Sequence, residues 1–389
     1  MQLCTAMAFV LTFGISSVAL AETESFAPAE TQIVVPAEAE NAEPMEVEST
    51  AQAGTLNATP VEAEIIIKFS HVAAPNTAKG QAVERFKQLA EQSSDGRIRV
   101  DIFPNGQLYS DLDEFEALQS GAVQMLAPSF SKFALIGVRE FELFDLPYIF
   151  PSLEILHRLV DGNVGKSLFT KLSDKGLTGL AYWDNGFKQT SSNRAMHKVT
   201  DLKGLRMGIQ SSKVLEAQMK AFGMAPQVTS PSKVYSALQQ RAIDGTENPV
   251  SDFYAQKLYE VQTHLTISNH GYLGYAVIAN KTFWAGLPAD IRDTLMQAMN
   301  EATLFERDFA QKENDEALTN VMAGNTTEVY VLSPRERTTW QRASLPVYQE
   351  FEKTIGSNLI KGVARIANQI KKEQDATKTK GKSAPKKTR

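Results

Sequence analysis

The sequence predicts an α/β fold with mainly parallel sheets, and three observations carry that prediction. Short β-rich apolar runs alternate with stretches whose apolar residues recur at helical spacing, as in EIIIKFS followed by AKGQAVERFKQLAEQSS. Single polar residues gather at the turns between strands and helices, as in YWDNGFKQTSSNRA and RAIDGTENPV. At 389 residues with 43% apolar content, the chain is too long for one ordinary domain and can bury two cores.

The elements follow in order from Glu64. EIIIKFS is a strand, and the next segment places Ala82, Phe86, Leu89 and Ala90 at helical spacing. GRIRVDIF puts Ile98, Val100 and Ile102 on one face, and PNGQ turns the chain. A short helix over residues 113–119 leads into AVQMLAP, a strand. The strand–helix alternation continues through GLTGLAYW, LRMGIQ with SKVLEAQMKAFG, and PSKVYSALQQRAIDG. From Ala289 a helical pattern runs for over thirty residues, beyond the usual globular length, so it is expected to serve both halves. TEVYVL is one more strand, and Ser333-Pro334-Arg335-Glu336 is a capping box with proline at the first helical position. No internal repeat occurs at a fixed period.

The two ends differ from the middle. Residues 7–20 form an apolar run closed by Ala19-Leu20-Ala21, the pattern of a signal peptide over 1–21, although no Lys or Arg precedes it. The run is too short for a comfortable membrane span, so no stable membrane insertion is expected after its removal. Residues 22–63 are rich in Ala, Glu, Pro and Thr and read as a disordered acidic leader. Residues 371–389 carry eight basic and two acidic groups and read as a disordered basic tail. The stretch between holds 32 basic and 34 acidic groups, which argues against a nucleic-acid surface. The one cysteine, Cys4, precedes the cleavage pattern, so the mature chain has no disulfide, thiolate nucleophile or cysteine-ligated metal.

Catalytic motifs are lacking. H-E-x-x-H, G-x-S-x-G, C-x-x-C and G-x-G-x-x-G do not occur. Gly165-Lys166-Ser167 imitates the end of a phosphate loop, but Val160 stands where its first glycine belongs, and a helix start is the expected reading. The five histidines are scattered, and the spacing of His264 and His270 suits no standard metal site. What remains is Asn185, Gly186 and Lys188 at an expected strand end, and Glu247 and Asn248 before Pro249. Ligands in open α/β sheets sit outside the carboxyl ends of strands, so these turns mark a candidate pocket.

From about Ile65 to Gly356 the chain resembles the periplasmic solute-binding proteins of tripartite ATP-independent periplasmic (TRAP) transporters, of the dicarboxylate-receptor type. The resemblance rests on FSHVAAPNTAKGQAVERFKQLAEQSSDGRIRVDIFPNGQL, LQSGAVQMLAPS, LPYIF, NGFKQTSSNRA, DLKGLRMGIQSSKV, VYSALQQRAIDGTENP and LPADIRDTL, in that order. It implies a two-lobed α/β periplasmic-binding-protein fold, with a ligand cleft between lobes and a long helix spanning both. The expected division is 64–186 plus 274–313 for lobe I and 187–273 plus 314–370 for lobe II. It also implies a periplasmic receptor without enzymatic activity or cofactor, which captures a small organic acid and delivers it to membrane permease subunits.

The family's central device is an arginine that pairs with the solute carboxylate, a geometry that suits guanidinium better than ammonium. Counting back forty positions from Asn248, its place falls on Gly208. The family's second basic contact falls on Lys188, its amide contact on Asn248, and a pocket histidine on His270. From lobe I, Val72, Asp111 and Ser129 take cleft-facing positions. Arg206 and Gly208 share a strand face roughly 6.6 Å apart, which leaves two readings: Arg206 or Lys188 supplies the lost contact, or Arg206 is a solvated surface residue, the reading slightly favoured. Two alternatives follow from Gly208: the same fold holding a neutral or atypical solute, or a periplasmic sensor or scaffold that no longer serves transport.

Overall fold

The strands alternate with helices along the chain, and their pairing resolves them into one continuous sheet serving two lobes. The computed structural model describes residues 63–382, with side chains described to Asp375. The expected signal peptide and all but the last residue of the expected leader lie outside the described residues.

Lobe I opens with β1 (Ile65–Ser70), α1 (Ala78–Ser93) and β2 (Ile98–Phe103), a parallel unit in which Ile67 pairs with Val100. Thr77 caps α1 by accepting from Gly80 N–H at 3.3 Å, a contact worth about 1 kcal/mol. α2 (Glu114–Gln119) leads to β3 (Met125–Leu126), which lies parallel to β1. α3 (Leu153–Val160) and α4 (Asn163–Leu172) then cover one face. The phosphate-loop look-alike is the start of α4: a Cβ on Gly165 would lie 1.8 Å from the Val160 carbonyl oxygen, so this glycine permits tight packing of α4 on the end of α3.

β4 (Leu177–Ser192) leaves lobe I and continues into lobe II. There β5 (Arg206–Ile209), α5 (Lys213–Ala221), β6 (Ala225–Val228), α6 (Val234–Gln239), β7 (Gly245–Asn248) and α7 (Val250–Ala255) repeat the alternation. β8 (His264–Asn280) runs back antiparallel to β4. The strand order is β2-β1-β3-β8-β4-β7-β5-β6. After α8 (Lys281–Gly286) comes α9 (Ala289–Gly324), 36 residues and about 54 Å long. β9 (Glu328–Val331) pairs with β8, and α10 (Pro334–Ala343), α11 (Leu345–Ile355) and α12 (Ser357–Lys382) complete the fold.

Each face of the sheet carries its own core. In lobe I, α1 and the first half of α9 (Ile291, Leu295, Met299) pack with Phe69 and Trp183 on one face. Phe130, Phe144, Leu159, Leu168 and Tyr182 fill the other. In lobe II, Met207, Ile209, Met219, Phe222 and Trp340 form one core, and Val234, Phe253 and Leu265 form the second with Ala317 and Val321 of α9. The long helix therefore feeds both lobes, because one apolar stripe changes partner halfway along.

Three expectations need correction. β4 does not end at Asn185. It continues to Ser192 through register shifts near Gly186 and Lys188, so these residues sit within a crossing strand. Gly186 has φ +152° and lies so close to Asn314 that a Cβ would come within 2.9 Å of its Nδ2, so a bare backbone is required there. Residues 345–370, expected with lobe II, do not pack there alone: Val347, Phe351, Ile355, Val363 and Ile370 join the lobe I aromatic core, together with Val214 of α5. Residues 371–382 are helical rather than disordered, continuing α12, and Glu373 pairs with Arg158 of α3 at 2.8 Å.

Candidate functional site

The carboxyl ends of parallel strands from both lobes meet at one place, the position where open α/β sheets bind ligands. In lobe I, His71 follows β1 directly and Ser129 lies just beyond β3. In lobe II, Gly208 stands opposite Thr246 in the β5–β7 pair, so two residues further on Gln210 lies beside Asn248. Gln210 Nε2 reaches across to Ser129 Oγ at 3.4 Å, joining the two lobes. Ser212 Oγ does the same to Asp145 Oδ2 at 2.7 Å.

Behind this meeting point lies a buried ionic cluster. Lys188 of β4 donates to Glu247 Oε1 at 2.8 Å, and His270 Nε2 lies 2.9 Å from Glu247 Oε2. His270 Nδ1 is 2.7 Å from Ser268 Oγ, which fixes the ring. Burial opposes the Glu247 charge, but Lys188 and His270 outweigh it and hold the carboxyl below its ordinary pKa. Asp145 goes the other way: burial raises its pKa, only partly offset by Lys188 and the Ser131 and Ser212 hydroxyls.

A second polar cluster sits where β4, β8, α7 and α9 cross. Asn185 Nδ2 donates to Asp252 and to Tyr275, and its Oδ1 accepts from Ser251 Oγ at 3.0 Å. Lys79, buried in the first turn of α1, donates to the Ala127 carbonyl at 3.2 Å and lies 3.8 Å above the Tyr275 ring. Burial lowers its pKa to about 8. Glu313 of α9 accepts from Ala78 N–H at 3.1 Å, and burial raises its pKa to about 7.

The structure brings together Lys188, Asn248, His270 and Ser129 from the sequence expectation. Asp111 lies further out, where it accepts from Lys132 at 3.0 Å, and Val72 is half-buried beside the loop at Gly106. Arg206 does not lie over Gly208. Its guanidinium grips Asp244 through Nε at 2.9 Å and Nη2 at 2.6 Å, donates to the Arg241 carbonyl, and is 43% exposed. A bidentate carboxylate on its own sheet face holds it away from the cleft more firmly than an empty position could attract it. Nor is the place beside Gly208 empty: a Cβ there would come within 2.7 Å of Ile243 Cδ1.

Sequence reading missed Gln210, His71 and Lys79. Gln210 and His71 each stand one residue past a strand end, a signal that needs the strand ends to be known. His71 is 1% exposed, and neither ring nitrogen has a hydrogen-bond partner. Burial, with the Lys79 charge, lowers its pKa to about 3. Asn248 Oδ1 and Gln210 Oε1 are likewise buried without partners. Among the described residues no cluster of His, Cys, Asp and Glu could hold a metal ion.

Comparison with known proteins places this geometry. The family described as bacterial extracellular solute-binding protein, family 7 (DctP) matches residues 69–354. The chain is 51% identical over 315 residues to the C4-dicarboxylate-binding periplasmic protein DctP of Rhodobacter capsulatus, covering 81% of this chain and 95% of that one. It is 40% identical over 304 residues to the C4-dicarboxylate-binding protein DctB of Bacillus subtilis, covering 78% and 87%. A solved TRAP periplasmic solute-binding protein from Sulfurospirillum deleyianum with bound succinate superposes with a TM-score of 0.75 at 45% identity, covering 78% of this chain and 99% of that one. Two lobes meeting at their strand ends, crossing strands and a helix shared by both cores are thus matched by sequence over most of the chain, and the protein belongs to the DctP family of extracellular solute-binding proteins of TRAP transporters.

Proposed function

We propose that this chain is the periplasmic receptor of a TRAP transporter, capturing a small organic acid between its lobes and handing it to the membrane permease subunits. The observation that carries the reading is the convergence of His71 and Ser129 from lobe I with Gln210 and Asn248 from lobe II, tied by the Gln210–Ser129 contact. Relatives named for C4-dicarboxylate binding and a neighbour holding succinate support the solute class. Lys188 supplies the positive charge and Asn248 Nδ2 an N–H donor to the solute carboxylate. Asp111 and Val72 line the outer approach. No cofactor takes part, and the chain binds rather than transforms its solute.

We divide the lobes at the crossings: 64–186, 274–313 and 345–375 form lobe I, and 187–273 with 314–344 form lobe II. Closure is a hinge motion about β4, β8 and α9, with Gly186 in the first of these. No described helix is long and apolar enough to cross a membrane.

A thermal-shift panel of organic acids tests the reading, because a ligand bound to the folded state stabilises it by RT ln(1 + [L]/Kd). A concentration-dependent rise with at least one acid is expected. No shift with any acid at millimolar concentration would sink it. The alternative of a neutral or atypical solute draws on Gly208, whose side-chain place is held by the aliphatic Ile243.

A further inference from the structure

We propose that lobe II carries a second binding site, for a small phosphate monoester, at the end of its sheet opposite the solute cleft. The cleft lies outside the carboxyl ends of the strands, whereas this site lies at their amino ends: Leu205 directly precedes β5, and Asp244 directly precedes β7. The receptor reading stands or falls without it.

A cavity of about 500 Å³ opens there, lined by Arg194, Lys203 and Arg241 against an apolar wall of Leu205, Leu238 and Ile243. None of the three cations has a carboxylate within ion-pair distance among the described residues. The carboxylate that lies among them, Asp244, is taken by Arg206: Oδ2 accepts from Nε at 2.9 Å and Oδ1 from Nη2 at 2.6 Å. Arg194 adds only a smaller through-space attraction to that carboxyl. Three unpaired cations thus share one concave space, in a chain whose folded stretch is otherwise close to neutral.

The backbone is arranged to present them. Helices α2, α5 and α6 end in the same turn: the residue after the cap is left-handed, and its N–H bonds three residues back. In α2 and α5 that residue is glycine, Gly121 at φ +81° and Gly223 at φ +80°, but in α6 it is Arg241 at φ +56°. Glycine takes this conformation without steric cost and arginine does not, so the cationic side chain stands there against local preference. Arg206 Nη2, fixed by Asp244, holds the Arg241 carbonyl at 2.7 Å. Arg194 Nη2 donates to the Asp201 carbonyl and, at 3.1 Å, to the Lys203 carbonyl, which leaves its Nε and Nη1 groups for a ligand. Guanidinium groups match phosphate oxygens in bidentate geometry. A phosphate monoester carries about −1.5 to −2 charge near neutral pH, a closer match to three cations than one carboxylate. The apolar wall and remaining volume fit a small organic body on the ester.

Two measurements on the full chain at low ionic strength test this: isothermal titration with glycerol 3-phosphate, and cosedimentation with phosphatidylcholine vesicles with and without phosphatidic acid. The first presents the monoester in solution and the second on a lipid surface, so the probe that binds identifies the source. Binding of at least one is expected, weakened at least about ten-fold by Arg241→Gly, the scale of one charge-assisted hydrogen bond. Glycine is the residue best suited to that backbone, so the variant is expected to melt no lower than wild type. Lys203→Gln is expected to weaken binding as well and supplies a second variant. Neither substitution is expected to change the thermal-shift response to organic acids, which separates this site from the cleft. Binding of neither probe at millimolar concentration, or equal binding by wild type and Arg241→Gly, overturns the proposal. So does Arg241-dependent binding of poly-glutamate in preference to both probes, which would make the patch a docking surface for an acidic protein segment.

Discussion

Lys188 Nζ donates to Glu247 Oε1 across 2.8 Å with both side chains sealed from solvent, 2% and 1% exposed. The pair links a crossing strand to the end of β7, and His270 holds the second carboxylate oxygen. Removing one partner of such a pair strands a buried charge, at a cost of about 3–5 kcal/mol. Glu247→Ala is therefore expected to lower unfolding free energy by that amount in urea titration. A Lys188→Met, Glu247→Leu double variant is expected to lose less than the two single losses together. A Glu247→Ala loss below about 1 kcal/mol would mean the pair does not hold the fold.

Position 208 has a packing consequence. Gly208→Ala brings a Cβ to 2.7 Å from Ile243 Cδ1, the movable tip of a side chain. Overpacking of this kind costs about 1–3 kcal/mol, and the lower end is expected because the tip can rotate. Adding Ile243→Val removes the clashing methyl, so the double variant should recover stability relative to Gly208→Ala. Equal stability of the two, measured by denaturant unfolding, would show that Ile243 does not fill that place.

Arg206 tests the geometry from the other side. Its guanidinium belongs to Asp244, so Arg206→Ala is expected to leave the affinity for any bound acid unchanged within two-fold, a factor set by roughly 0.4 kcal/mol. A larger drop in titration calorimetry would return it to the cleft.

Glu313 predicts a pH dependence. Burial raises its folded pKa from 4.5 to about 7. Between those values the folded chain keeps a proton that the unfolded chain has released, so this group's contribution to stability falls as pH rises. The unfolding free energy of wild type relative to Glu313→Gln is expected to decrease from pH 4.5 to 7 and to stay level outside that window. A constant difference across the window would contradict the assigned burial.

The capping box of α10 offers a local control. Ser333 Oγ accepts from Glu336 N–H, and Glu336 accepts from Ser333 N–H at 2.8 Å. Ser333→Ala should cost about 1 kcal/mol in unfolding free energy and leave ligand affinity alone. Stability equal to wild type would show the cap to be idle.

Local elements were legible because short-range physics sets them. The spacing of Ala82, Phe86 and Ala90 marked α1, the long apolar stripe marked α9, and Ser333-Pro334-Arg335-Glu336 marked the start of α10. β8 was not legible, since a strand buried on both faces shows no alternation and its glycines resemble turns. The end of β4 was misplaced for a related reason: Asn185-Gly186 reads as a turn, yet here it is a register shift held by Asn314. Of the candidate site, the expectation for Lys188, Asn248, His270 and Ser129 came through family resemblance. Gln210 and His71 did not, because their role depends on which strand ends face each other across the lobes.

By itself the sequence determined the α/β class, the family, and the absence of an arginine at position 208, because these follow from local periodicity and ordered motifs. Only the tertiary structure decided how the charges are distributed. Arg206 finds Asp244 38 positions away and Lys188 finds Glu247 59 positions away. Ion pairing depends on distance in space and on exclusion of water, and neither is written in the order of residues.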